Sequence, residues 1–229
     1  YAARPFRDRA EDIPKLVVYV GNDLEEFDAG AAENVGSVEK PEGEVWVTYA
    51  GNISALYDLE TLVEAVAIAA KAHPELRLKI LGDGPERASV EAAVERTGAP
   101  AGLLGYMPYR VMAAWLKASD MVVNSLVANA PQSVPTKIGD YLASGRPMIN
   151  TSMNVEFREK VVRDGFGVNV VPGDAEGLAR VICELVEDEA GRARMGRVAR
   201  ELAAAQFDRP HSYEATVDLI RGLISERAK

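Results

Sequence analysis

Short apolar runs alternate with amphipathic stretches along most of the chain. Val45–Ala50, Arg77–Leu81, Ala101–Leu104, Asp120–Asn124, Pro147–Asn150 and Gly167–Val171 each read as strands, bounded by glycine, proline or aspartate. Between them lie helical periods. Over Asp58–His73, Leu59, Leu62, Val63, Val66 and Ala70 recur at i, i+3, i+4 and i+7, and over Asp174–Glu187 Leu178, Val181, Ile182, Leu185 and Val186 share one face. Further helices are predicted over Pro85–Thr97, Tyr109–Lys117, Pro135–Ser144, Phe157–Arg163, Ala190–Gln206 and Pro210–Ser225, with Gly145 stopping the third of these. Upstream, Leu16–Val20 reads as a strand after Pro14, and Asp28–Glu44 as an aperiodic loop or hinge.

Strands alternating with helices predict parallel β-α-β units, hence an α/β fold with an open, doubly wound, Rossmann-like parallel sheet. Ligands of such sheets bind beyond the carboxyl ends of the strands. The loops after Ala50, Leu81, Leu104 and Asn124 therefore become the candidate site.

Composition narrows the function. The 229 residues carry 26 Lys+Arg and 35 Asp+Glu, a net charge of −9, which argues against nucleic acid as a partner. The single cysteine, Cys183, excludes a disulfide scaffold and fits a reducing compartment; with only His73 and His211, a histidine-rich metal site is not expected. Chemically, no run approaches a membrane span. The chain opens on Tyr1-Ala-Ala-Arg rather than Met, so a piece of a longer protein is expected.

Three loops hold candidate chemistry. Gly51-Asn52-Ile53-Ser54 follows a strand and lets backbone approach a ligand; a plain β-α turn reads the same way. Gly82-Asp83-Gly84-Pro85 suits a tight turn into a helix but is neither a Walker loop nor a full dinucleotide fingerprint, and Asp83 reads as punctuation. The third is Gln132-Ser133-Val134-Pro135-Thr136-Lys137-Ile138-Gly139-Asp140. Lys137 stands in a first helical turn, where the helix dipole disfavours a cation by roughly 0.3–1 kcal/mol. A bound phosphate reverses that sign. Asp140, three residues on, offers acceptor oxygens to neighbouring hydroxyls such as those of a ribose. The plain alternative is a solvated Lys137–Asp140 pair worth about 0.2–0.5 kcal/mol.

At these residues the chain resembles the nucleotide-sugar-binding, C-terminal half of GT-B glycosyltransferases of the family 4 type. The similarity runs through Val47–Ser54, Leu59–Ala65, Leu78–Pro85, Leu103–Met107, Ser119–Val123, Leu142–Pro147 and Val170–Asp174, with Val18–Phe27 resembling the interdomain crossover. It implies a crossover, first strand and loop over residues 1–44, a Rossmann-like donor-binding domain over 45–206, and a C-terminal helix over 207–229 that packs toward an N-terminal domain. It also implies transfer of a sugar, with retention, from a nucleotide diphosphate sugar of the UDP or GDP type, without a further cofactor or metal. Donor contacts are expected from Gly51, Asn52, Gly82, Gly84, Gly105, Tyr106, Gln132, Thr136, Lys137 and Asp140; no catalytic residue is assigned. Relatives of this kind build surface polysaccharide on lipid-linked or glycan acceptors, so a cytoplasmic protein, peripheral at the inner membrane face, is expected. The fragment alone is expected to be inactive.

The departures are informative. Where the family has two glutamates separated by seven residues, this chain has Gln132 and Asp140; where it has an arginine and a lysine on the diphosphate, this chain has Asn52 and Tyr57. The chain is similar to a bacterial subgroup with Asn in the first loop and a Pro-Ser/Thr-Lys turn, which implies that Thr136, Lys137 and the helix start hold the diphosphate instead. The lost charges equally suit an inactive nucleotide-sugar-binding or scaffold domain. A GT-B sugar epimerase or phosphorylase is a further alternative, set back by loops poor in acid–base groups and by the absence of an identifiable cofactor lysine.

Overall fold

The computed structural model describes residue 16, residues 18–130 and residues 134–227. Among these, six strands form one sheet: β1 (Val45–Ala50), β2 (Leu76–Leu81), β3 (Ala101–Gly105), β4 (Met121–Asn124), β5 (Met148–Asn150) and β6 (Gly167–Asn169). The order is β3-β2-β1-β4-β5-β6 and every pairing is parallel. Strand order therefore reverses between β1 and β4, which opens a crevice at their carboxyl ends. The expected doubly wound α/β fold is what forms.

Helices cover both faces, as a parallel sheet requires. They are α1 (Leu24–Glu33), α2 (Leu59–Ala69), α3 (Arg87–Thr97), α4 (Tyr109–Ala118), α5 (Lys137–Ala143), α6 (Val155–Asp164), α7 (Ala175–Glu187), α8 (Glu189–Leu202) and α9 (Arg209–Arg227), with a π-helical turn over Ala203–Phe207. On one face Val47, Tyr49, Leu78 and Ile80 pack under Leu62, Val66, Leu178 and Ile182 of α2 and α7. On the other, Ala50, Leu81, Val122 and Met148 pack under Phe27, Leu116, Ile138, Tyr141 and Phe157 from α1, α4, α5 and α6. Buried Trp46 stacks on the partly buried Trp115, ring centroids 5.2 Å apart.

Two upstream expectations are corrected. Leu16–Val20 is not a strand: Val17 lies outside the described residues, and residues 16 and 18–20 pair with no sheet edge. β-Branched residues favour extended backbone, but a strand needs a ladder partner. What exists is a lone parallel bridge between Asn22 and Asp208. The region read as a loop from Asp28 contains most of α1. Its apolar set, Leu24, Phe27, Gly30 and Ala31, has helical spacing but straddles the boundary drawn at Asp28. Asp23 caps this helix, accepting from the Glu26 N–H, and Arg110 of α4 pairs with Glu26 and Glu33 across the α1–α4 contact.

At the carboxyl ends of β4, β5 and β6 three asparagines form a ladder. Asn124 Nδ2 donates to Asn150 Oδ1 (2.8 Å), Asn150 Nδ2 to Asn169 Oδ1 (2.8 Å), and Asn169 Nδ2 to the Arg158 carbonyl (2.9 Å). Asn124 and Asn150 are fully buried. Because the last acceptor is a carbonyl, every amide must point its nitrogen the same way along the row.

Candidate functional site

The loop after β1 and the loop after β2 are built against each other. Gly51 N–H donates to the Leu81 carbonyl (2.9 Å), Ile53 N–H to the Asp83 carbonyl (2.9 Å), and Gly82 N–H to the Gly105 carbonyl (2.8 Å). A methyl group on Gly82 would strike the Gly51 carbonyl, and one on Gly84 the Ile53 carbonyl; Gly82 also has a φ of +136°. These glycines are required by main-chain packing. Asp83 closes its own turn by accepting from the Gly84 N–H (2.8 Å), the punctuation read from the sequence.

Two cavities lie along this edge. One, of about 370 Å³, is walled by Gly51, Asn52, Leu81, Gly82, Asp83, Tyr106, Met107 and Met112. Tyr106 is 81% exposed at its mouth. Gly84 and Gly105 stand behind it in the turns just described. The other, of about 430 Å³, is bordered by Thr136, Asp140 and Tyr109, by Gly21, Asn22 and Asp23 ahead of α1, and by Arg209. Of the expected site residues, Gly51, Asn52, Gly82 and Tyr106 thus line one cavity and Thr136 and Asp140 the other, with α4 bordering both through Tyr109 and Met112, while Gly84, Gly105 and Lys137 line neither. Gln132 lies outside the described residues.

Asp140 projects from α5 toward Asn22, just ahead of α1. Its Oδ1 accepts from Tyr109 OH (2.9 Å) and Asn22 Nδ2 (3.0 Å). Among the described residues both of its hydrogen bonds fall on that one oxygen, so the carboxylate keeps acceptor capacity on Oδ2. Desolvation raises its pKa above the usual aspartate value, against the lowering hydrogen bonds of Tyr109 and Asn22 and the charge of Arg209.

Lys137 runs the other way. Its Nζ is buried and has no hydrogen-bond partner among the described residues. It lies 4.0 Å from the ring centroid of Tyr49 and 3.8 Å from that of Tyr57. A Cβ on Gly51 would stand only 2.6 Å away, so the amine sits directly against a wall of the smaller cavity. Burial pulls its pKa well below the ordinary lysine value. The plain alternative for this pair therefore gives way: Lys137 is neither solvated nor bonded to Asp140, and the two do not converge on one point. A ligand that met both would have to extend from one cavity to the other.

Tyr141, next along α5, fixes the end of β1: its hydroxyl accepts from the Ala50 N–H (2.9 Å) and donates to the Ala50 carbonyl (3.1 Å). Tyr49 OH donates to the Asn52 carbonyl (2.7 Å). Sequence reasoning did not select Tyr109, Asn22, Arg209 or Met112 as site residues. They come from α4, from the start of α9 and from the residues ahead of α1, where spacing carries no sign of which cavity a side chain borders.

The family described as Glycosyl transferases group 1 matches residues 44–188. The chain is 24% identical over 225 residues to alpha-D-kanosaminyltransferase of Streptomyces kanamyceticus, covering 95% of this chain and 55% of the relative. It is 31% identical over 168 residues to the lipopolysaccharide core biosynthesis glycosyltransferase LpsE of Rhizobium meliloti, covering 70% of this chain and 45% of the relative. The chain thus spans about half the length of these two relatives. Among solved structures, Anabaena HepE in complex with UDP superposes with a TM-score of 0.74 at 19% identity, over 90% of this chain and 57% of that one.

Proposed function

The chain belongs to the group 1 glycosyl transferases, and from that membership we propose that it is the donor-binding half of a GT-B enzyme that moves a sugar from a nucleotide diphosphate sugar to an acceptor, in bacterial surface polysaccharide synthesis. The carrying observation is the unpartnered amine of Lys137 held against Gly51 at the carboxyl end of β1, beside the strand-order reversal.

In this reading the base lies against Tyr106 and Met107, the ribose hydroxyls donate to Asp140, and the diphosphate rests between Gly51–Asn52 and Thr136–Lys137. Lys137 then supplies the positive charge that Asn52 and Tyr57 do not. As the glycosidic bond breaks, the departing diphosphate gains negative charge, and preorganised donors in a closed cleft stabilise it. HepE, whose complex holds UDP, supports a uridine nucleotide as the first donor to try. LpsE, named for lipopolysaccharide core biosynthesis, supports a surface-glycan role; a cytoplasmic site of action at the inner membrane face is part of the proposal and follows from the resemblance alone.

The preceding half expected from the resemblance would hold the acceptor, with α9 reaching toward it. Tyr213, Val217, Ile220 and Ile224 of α9 are exposed at intervals of four, three and four residues, which suits a helix awaiting a partner surface. Sugar transfer, with retention, therefore needs both halves, and this fragment alone is expected to bind nucleotide without turnover.

Isothermal titration of the chain with UDP and GDP tests the reading. Micromolar binding, weakened about tenfold by Asp140→Ala, supports a donor site. Unchanged affinity in Lys137→Ala would remove the lysine from the diphosphate. No binding of either nucleotide favours the scaffold alternative, for which the neutral Asn52 and Tyr57 speak.

A further inference from the structure

An ammonium brings three donors and a full charge, and a buried site that meets neither need drives the group to its neutral form. Lys137 Nζ occupies such a site. Among the described residues the titratable groups that meet it are Tyr49 on β1 and Tyr57 in the loop that follows; on α5 itself the Tyr141 hydroxyl is taken by the Ala50 main chain. Burial pushes Tyr49 and Tyr57 above their ordinary value, so they face the amine as neutral phenols. The carboxylate of Asp140 is turned to Asn22 and Tyr109 instead. The faces of the Tyr49 and Tyr57 rings attract a cation, but less strongly than water does. Burial accordingly holds the amine well below the usual lysine range.

Resting on the donor-site reading, we propose that a nucleoside diphosphate entering the site brings one proton with it from solvent, converting Lys137 from a neutral amine in the empty protein to the ammonium that faces the pyrophosphoryl group. The geometry supplies the reason. The amine lies against Gly51, and Gly51 in turn lines the smaller cavity. Asp83 also lines that cavity, with its Oδ1 taken by the Gly84 N–H; an anion seated on the Gly51–Asn52 loop adds negative charge beside the amine and raises the proton affinity of the nearest base. The site then becomes cationic only when occupied.

Titration of the 229-residue chain with UDP at about pH 8, in buffers of different ionisation enthalpy, measures the proton directly, because the phosphates of the ligand are already ionised there. Uptake approaching one proton is expected, with affinity falling up to about tenfold per pH unit above this. Lys137→Arg, whose guanidinium keeps its charge, should bind with no uptake. The Lys137 Cε resonance gives a second readout: it should report a neutral amine in the empty chain and an ammonium on UDP addition, whatever the variant does to folding. Binding without uptake, equal uptake in Lys137→Arg, or an ammonium signal in the empty chain would overturn the proposal and leave the donor site standing. Absence of UDP binding would remove both.

Discussion

Lys137 sets binding against stability at a single residue. Its amine is desolvated and unpartnered, so Lys137→Met, of similar shape and without the amine, should raise stability by roughly 1–3 kcal/mol at neutral pH. The same change should weaken UDP binding about ten- to hundredfold. Calorimetric melting and titration on one sample check both. The pH dependence has a definite sign. Because the folded-state pKa lies below the unfolded one, near 10.5, the unfolded chain takes up this proton first. Stability is fully present above the unfolded value and is lost as pH falls toward the folded value. The stability gap between Lys137→Met and the parent should therefore widen as pH is lowered from about 10.5. Gly82→Ala should cost about 2–4 kcal/mol, since it meets main chain and a left-sided φ together; a denaturant midpoint reads it. At this scale the sequence was partly legible. A cation in a first helical turn marked Lys137 as a broken rule. The depth of its amine was not visible, because Tyr49 and Tyr57 reach it from a strand and loop some eighty residues upstream.

Among the elements, the asparagine ladder ties together the three strands on one side of the reversal. Asn150→Leu would leave Asn124 Nδ2 and Asn169 Oδ1 without their partners, at a cost of about 2–5 kcal/mol. Chemical denaturation should show that loss even though Leu keeps the branching and heavy-atom count of Asn. On α9 the opposite outcome is expected. Ile220 and Ile224 are 52% and 65% exposed, so Ile220→Glu should shift the stability of this chain by less than about 0.5 kcal/mol. If the helix docks on a preceding half, the same substitution will weaken that association. Strands and helices from Val45 onward were legible because each has its own period and its own stop signal. α1 was misread because glycines and acids obscured a short apolar set that only the α4 surface explains, and Leu16–Val20 because strand propensity does not reveal whether an edge is available.

For the whole molecule, alternation of strands and helices foretold the parallel sheet, and the sheet in turn located the site at its carboxyl edge. Strand order was not readable, since it depends on which faces the helices cover rather than on any local run. The divergence of Asp140 and Lys137 has the same origin: α5 sends Asp140 toward Asn22 and Tyr109 and Lys137 beneath the β1 loop. On the donor-site proposal, Asp140→Ala and Lys137→Met should weaken UDP binding through different parts of one ligand. Binding of uridine alone should respond to the first substitution and not to the second.

The bridge at Asn22 and Asp208 has a practical corollary. Asn22 N–H donates to the Phe207 carbonyl (2.9 Å), and Arg209 N–H donates to the Asn22 carbonyl (2.8 Å). The polypeptide therefore enters and leaves the sheet-bearing body at one spot, like two wires through a single socket. A unit with adjoining attachment points can be spliced into a foreign host with little distortion, which makes residues 22 and 208 the natural seams for building hybrid enzymes.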